Sequence, residues 1–180
     1  MKKAGHRVGD WMQTYTGRRF WPLDPRPEDI CIEDIAHHLA LVCRFGGASS
    51  TFYSVAQHCV EVSRHCDAAD ARAGLLHDAA EAYIGDMVRP MKRSIGGEYR
   101  HIERLIELCI QERFGIDDLK PASVALADER MLFTEARDLV HRGPNGWVNP
   151  HEPYVETIEP WTWRVAETVF LGRAQKLGLN

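Results

Sequence analysis

Apolar residues in this chain recur mainly at helical spacing, and polar punctuation separates the periodic runs. Ile35, Leu39 and Val42 mark one face of a helix over Glu33–Arg44, and Phe45-Gly46-Gly47-Ala48-Ser49-Ser50 breaks it. Val55, His58 and Val62 share a face of a second helix, with Ser54 as its N-cap and Gln57 three residues later completing a capping box. A third helix starts at a capping Asp70, runs through Tyr83 and stops at Gly85, after which Pro90 fixes the backbone of a loop. Glu98–Phe114 is a long amphipathic helix stopped by Gly115; Pro121 opens another over Ser123–Val140, which Gly143-Pro144-Asn145-Gly146 ends. A Pro-rich loop from Asn149 to Pro160 and a last helix over about 161–177 close the chain, and a Trp- and Pro-rich loop over about 10–30 precedes the first helix. Strand signals are few, and there are no internal repeats. The pattern predicts an all-α helical bundle built as one domain over residues 1–180.

Four polar residues interrupt the apolar faces. His58 lies between Val55 and Val62; His77-Asp78 is wedged between Leu75-Leu76 and Ala79-Ala80; Asp128 shares a stripe with Val124, Met131 and Leu132. A buried carboxylate without a partner is too costly to persist. Two imidazoles and two carboxylates gathered between core helices would resolve that cost by holding a divalent cation. Their mixed nitrogen and oxygen character admits Mn, Co, Mg, Fe, Ni or Zn. Four such ligands leave positions open for water and substrate oxygens, as a hydrolytic site needs. Taken singly, His58 also reads as a core histidine and Asp128 as a helix-pairing carboxylate; the adjacent His77-Asp78 has fewer structural explanations.

Charge narrows the partners. With 22 basic and 26 acidic residues the formal net charge is −4, which lacks the polycationic footprint of a protein that binds nucleic acid polymers. Free nucleotides fit better. No apolar run reaches membrane-spanning length, and the opening Met1-Lys2-Lys3 is not followed by a hydrophobic stretch, so a cytoplasmic location is expected. The five cysteines form no C-x-x-C pair and are expected to be reduced, mostly buried thiols.

The order His58, His77-Asp78, Asp128 resembles that of the HD-domain metal phosphohydrolases. The likeness extends to His77-Asp78-Ala79-Ala80-Glu81-Ala82-Tyr83-Ile84-Gly85-Asp86 followed by Pro90-Met91-Lys92, which is similar to the HD-x-x-E-x-x-x-G-D-x-x-x-P-x-K run of the bacterial 5'-deoxynucleotidase branch. Ser54-Val55-Ala56-Gln57-His58 is similar to the start of that branch's first ligand helix. The resemblance covers about residues 18–138. It implies a metal site formed by His58, His77, Asp78 and Asp128, a catalytic role for Glu81, a sugar contact for Asp86 and a phosphate contact for Lys92. Glu81 also follows Asp78 by three residues and His77 by four, which puts it on their helix face.

Arg18-Arg19-Phe20-Trp21-Pro22-Leu23 resembles an R-W-P-L element laid over the nucleotide in relatives, which implies substrate contacts for Arg19 and Trp21, with Arg18 the alternative arginine and a core plug the alternative role for the aromatic pair. Where the branch often has a lysine shortly before its final aspartate, this chain has Val124-Ala125-Leu126-Ala127. The activity implied is hydrolysis of (deoxy)ribonucleoside 5'-monophosphates to nucleoside and phosphate by a homo-oligomer. Two alternatives stand: a deoxynucleoside triphosphate triphosphohydrolase, for which Arg89, Arg93 or Lys120 would add positive charge, and a non-catalytic nucleotide sensor. Trp161, Trp163 and Phe170 on the last helix read as a subunit interface or as core. Within His37-His38, and at His65, some rings should be core and others surface, while His101 and His141 fall on outward positions.

Overall fold

The periodic runs fold as helices in a computed structural model that describes residues 7–94, 96–141 and 150–180. They are α1 (Ile32–Leu41), α2 (Val55–His65), α3 (Ala71–Leu76), α4 (Glu81–Ile84), α5 (Arg89–Ser94), α6 (Gly97–Phe114), α7 (Ala122–Leu139) and α8 (Trp163–Lys176). The architecture is all-α. A short hairpin, β1 (Met12–Gln13) and β2 (Arg19–Phe20), is added within the leading loop, with Met12 opposite Phe20 and Gln13 opposite Arg19. Among the described residues no helix is long and apolar enough to cross a membrane.

The main core joins Ile35 and Leu39 of α1, Val55 and Val60 of α2, Leu75 and Leu76 of α3, Ile106 and Ile110 of α6, and Phe170 of α8. A smaller cluster, Val62, Ala73, Val124, Ala127 and Met131, packs α2 and α3 against α7. Phe170 is fully buried, and Trp161 and Trp163, partly buried, pack against the main core. Gly74 is needed at the α2–α3 contact: a Cβ there would stand 3.0 Å from the Ser63 backbone and 2.8 Å from Cys66 Sγ. Gly115 takes φ 62° and ends α6 as a left-handed cap.

Several ends differ from the sequence reading. α1 stops at Leu41, because Val42 turns extended and the chain folds back on itself, with Val55 N donating to Val42 O at 3.0 Å and Arg44 N to Tyr53 O at 2.9 Å. Ser54 caps α2 by accepting from Gln57 N at 3.1 Å. The capping box is only half formed: Gln57 instead donates to Glu159 O at 2.9 Å and accepts from Trp161 N at 2.8 Å, pinning the segment before α8. Asp70 does not cap α3 with its side chain; it accepts from Ser123 Oγ at the start of α7. Pro90 belongs to a helix, α5, because proline in a first turn has no intrahelical N–H bond to lose. α7 ends at Leu139, and the Gly143–Gly146 stop lies outside the described residues. α8 begins at Trp163, capped by Thr162 Oγ1 accepting from Val165 N at 3.4 Å.

The largest departure lies at His77–Ala80, where a continuous helix was expected. Here the backbone tightens: Ala79 N donates to Leu76 O at 3.0 Å, Glu81 N to Asp78 O at 3.0 Å, Ala82 N to Ala79 O at 3.2 Å and Tyr83 N to Ala80 O at 3.0 Å, all i+3 bonds. In that geometry side chains three apart eclipse one another. Asp78 and Glu81 therefore stand one above the other.

Candidate metal centre

Three helices converge on one point. From α2 the fully buried His58 presents Nε2 at 3.2 Å from His77 Nε2, and at 3.1 Å from Oδ1 of Asp128 on α7. His77 Nε2 lies 3.9 Å from the same oxygen, and the ligand atoms of the three residues all fall within 4.8 Å of one another. Asp78 borders the set, with Oδ2 3.1 Å from His77 Nε2 and 3.8 Å from His58 Nε2.

Both imidazoles are oriented from behind. His77 Nδ1 lies 2.9 Å from Gly74 O and His58 Nδ1 lies 2.7 Å from Glu135 Oε1. A carbonyl and an ionised carboxylate can only accept, so the ring protons belong on Nδ1 and the Nε2 lone pairs face the cluster. Two such lone pairs among carboxylate oxygens call for positive charge between them, which a second ring proton or a cation supplies. Donors about 2.1 Å from a shared ion stand about 3.0 Å apart in octahedral and about 3.4 Å apart in tetrahedral geometry, which matches most of the observed separations. His58, His77 and Asp128 can thus hold a metal ion.

The electrostatics follow from this packing. Burial opposes charge on Asp78, but His77 and then Lys120 outweigh it and hold the carboxyl well below its ordinary value. Burial likewise opposes charge on Asp128, yet the His58 hydrogen bond and the two rings keep it low. Burial lowers both histidines; Asp78 more than restores His77, and Glu135 with Asp128 more than restores His58, so both lie above the ordinary value. Glu81 moves the other way: burial, then Asp78, then Asp86 push its carboxyl well above its ordinary value. Its Oε2 is buried without a hydrogen-bond partner among the described residues. Burial also raises Asp86. The side chain of Asp128 is 35% exposed, against 0% for His58 and 1% for His77, so the cluster opens to solvent on its α7 side.

Glu81 and Asp86 thus lie within electrostatic reach of the cluster. Lys92 influences both but is held by Glu103 Oε1 at 2.5 Å, with its ammonium 5.3 Å from the Tyr99 ring. Arg19 and Trp21 are not brought in. Arg19 is exposed over the Trp11 ring at 4.5 Å, and Trp21 carries the Arg7 guanidinium at 4.2 Å. Strand alternation is the reason: in β2 the buried residue is Phe20, stacked on Tyr83 at 4.0 Å, which sends its neighbours outward. Arg18 is also exposed, near Glu28 O. Asp34 and His38 hold this hairpin to α1 and α4: Thr16 N donates to Asp34 Oδ1 at 2.7 Å, Tyr15 N to His38 Nε2 at 3.1 Å, and His38 Nδ1 bonds Ala82 O at 2.7 Å. His37 pairs with Glu167 and His65 packs at a tilt against Tyr154, while His101 and His141 are exposed. All five cysteines are free.

Sequence reasoning passed over three residues around the cluster, Arg44, Tyr53 and Glu135, and named Lys120 only as an added charge for the triphosphate alternative. Arg44, 9% exposed, donates from Nε to Glu135 Oε2 at 3.0 Å and places Nη1 3.9 Å from Asp78 Oδ2. Phe45, Gly46 and Gly47, all at positive φ, make the turn that follows it. Tyr53 donates to Glu135 Oε1 at 2.9 Å. Lys120 lies 3.5 Å from Asp78 Oδ1 and 3.6 Å from Glu107 Oε1, bringing a lysine to the cluster where none precedes Asp128 closely in sequence. Glu135 follows Asp128 by seven residues, and that helical spacing was its available signal.

No protein-family model matches the chain. It is 40% identical over 129 residues to the uncharacterized protein YfdR of Escherichia coli, covering 72% of each chain. It is 39% identical over 136 residues to an uncharacterized protein of Rhodobacter capsulatus, covering 71% of this chain and 69% of that one.

Proposed function

The chain belongs to the family that includes YfdR of Escherichia coli, and from the cluster it builds we propose a metal-dependent phosphohydrolase acting on deoxyribonucleoside 5'-monophosphates. The observation that carries this reading is the convergence of two histidine Nε2 atoms and the Asp128 carboxylate at a solvent-facing point, beside the buried Glu81 carboxyl. A divalent ion held by His58, His77, Asp78 and Asp128 would supply Lewis acidity toward a phosphoryl oxygen and lower the pKa of an attacking water. Arg44 faces the same point with a guanidinium partly committed to Glu135, leaving donors for phosphate oxygens as charge shifts during attack.

Water adds to phosphorus and the bond from phosphorus to the 5'-oxygen breaks. Glu81, whose carboxyl burial and Asp78 push well above its ordinary value, would deliver a proton to the departing 5'-oxygen and recover one from the attacking water. The products are nucleoside and orthophosphate. Asp86, beside Glu81 just past α4, would accept from a sugar hydroxyl. Lys92 would exchange Glu103 for phosphate, and Phe45, next to Arg44, would offer its ring to the base.

Lys120 supports the second reading, a deoxynucleoside triphosphate triphosphohydrolase, because it adds a cation beside Asp78 that a longer phosphate chain could use. The test is phosphate release from deoxynucleoside mono- and triphosphates with manganese, cobalt or magnesium, for wild type, Glu81→Ala, Asp128→Ala and Lys120→Gln. Orthophosphate from monophosphates, lost in the first two variants, supports the leading reading. Triphosphate release that depends on Lys120 supports the second. Nucleotide binding without turnover moves the site to a sensor role.

A further inference from the structure

We propose that Glu135 is a positioning residue which acts on the metal centre through His58 by fixing which ring nitrogen carries the proton. This rests on the metal-binding reading. Glu135 is fully buried at the back of the cluster, and each of its oxygens is committed: Oε1 accepts from Tyr53 at 2.9 Å and from His58 Nδ1 at 2.7 Å, and Oε2 accepts from Arg44 Nε at 3.0 Å. Burying this carboxylate is tolerated because Arg44 neutralises it, and three donors converge on it. With no donor to offer, Glu135 makes His58 carry its proton on Nδ1 and directs the Nε2 lone pair at Asp128 and His77.

Glutamine at this position separates orientation from packing. Its carbonyl must face Arg44, which has only donors, so its amide group turns toward His58 Nδ1. That nitrogen then has to accept, the proton moves to Nε2, and Nε2 can no longer bind an ion. Arg44 thereby sets the polarity of the arrangement. Tyr53 does not, since a hydroxyl can donate or accept.

The experiment combines cobalt binding by calorimetry with 15N spectra of the histidine rings, on wild type, Glu135→Gln and Tyr53→Phe. Wild type without metal, at a pH high enough for the ring to be neutral, is expected to carry the single His58 proton on Nδ1. Glu135→Gln is expected to move it to Nε2 and to weaken cobalt binding about 10- to 100-fold, while Tyr53→Phe leaves the tautomer unchanged and affinity within about threefold. A wild-type proton on Nε2, or a folded Glu135→Gln protein with wild-type tautomer and affinity, overturns the proposal. Failure of wild type to bind cobalt, with the tautomer as expected, overturns the metal-binding reading and leaves the orientation of His58 by Glu135 standing. If Glu135→Gln does not fold, the wild-type tautomer and Glu135→Asp, whose shorter side chain must withdraw from Nδ1 and weaken cobalt binding, decide the matter.

Discussion

Asp128→Asn should remove most of the stabilisation that a divalent ion gives the protein, separately from whatever the loss of its pairing with His58 costs the metal-free fold. The carboxylate is one of three ligand atoms that stand within 4.8 Å of one another, and its side chain is 35% exposed, so its loss leaves no sealed cavity. An ion that binds only the folded chain stabilises it by RT ln(1 + [M]/Kd), about 2.7 kcal/mol at a hundredfold excess over Kd. Removing a ligand that weakens binding by about a hundredfold brings the same solution to [M] ≈ Kd, where about 0.4 kcal/mol remains. For a chain of 180 residues each kcal/mol moves Tm by about 2–4 °C. Thermal unfolding with cobalt should therefore rise by about 5–11 °C for wild type and about 1–2 °C for the variant, with chelator abolishing both shifts. A wild-type Tm indifferent to cobalt, or an equal shift in Asp128→Asn, refutes the reasoning.

Three further outcomes follow. Glu81→Gln keeps cobalt affinity, since Glu81 is outside the ligand set, yet lowers kcat by about 10²- to 10⁴-fold; weakened cobalt binding would show that Glu81 is a ligand instead. His58 and His77 are raised above their ordinary values, so their protons stabilise the metal-free fold below about pH 6.5 and that contribution is lost as pH rises through the raised values. Cobalt needs the deprotonated rings, so its affinity should climb over that same rise and binding should release protons; calorimetry in buffers of different ionisation enthalpy that finds neither counts against the assignment. Phe20→Ala empties a fully buried position stacked on Tyr83 and should cost about 3–5 kcal/mol, seen as a lower denaturation midpoint; a loss below about 1 kcal/mol would mean the hairpin is not part of the cooperative core.

The residues of the candidate metal cluster were legible because each contradicts its helix: a histidine or aspartate on an apolar stripe is visible without any structure. Glu135 was not, although it lies on the Asp128 stripe at i+7, because Arg137 and Asp138 beside it make the segment read as a solvated face. Arg44 was hidden by a boundary. Val42 continues the α1 periodicity, so the helix was carried through Arg44, whereas the chain turns extended there and doubles back toward Tyr53. Arg19 and Trp21 show the converse, since a helical and loop vocabulary has no place for a two-residue strand whose alternation buries only Phe20. The capping box failed for a tertiary reason: the amide of Gln57 has better partners at Glu159 and Trp161 than at the start of its own helix.

His58 is gripped on both ring nitrogens by a single helix, by Glu135 at one edge and Asp128 at the other, two turns apart along α7. Such an imidazole works as a rivet through the seam between α2 and α7, and an ion bound at the cluster would tighten it. The preceding residue on α2, Gln57, anchors the backbone at Glu159 and Trp161, and a cavity of about 200 Å³ lined by Gln57, Glu61, Met131 and Thr134 lies along the same seam. An ion at the cluster would then be felt at the approach into α8, and amide exchange at Trp161 should slow when it binds.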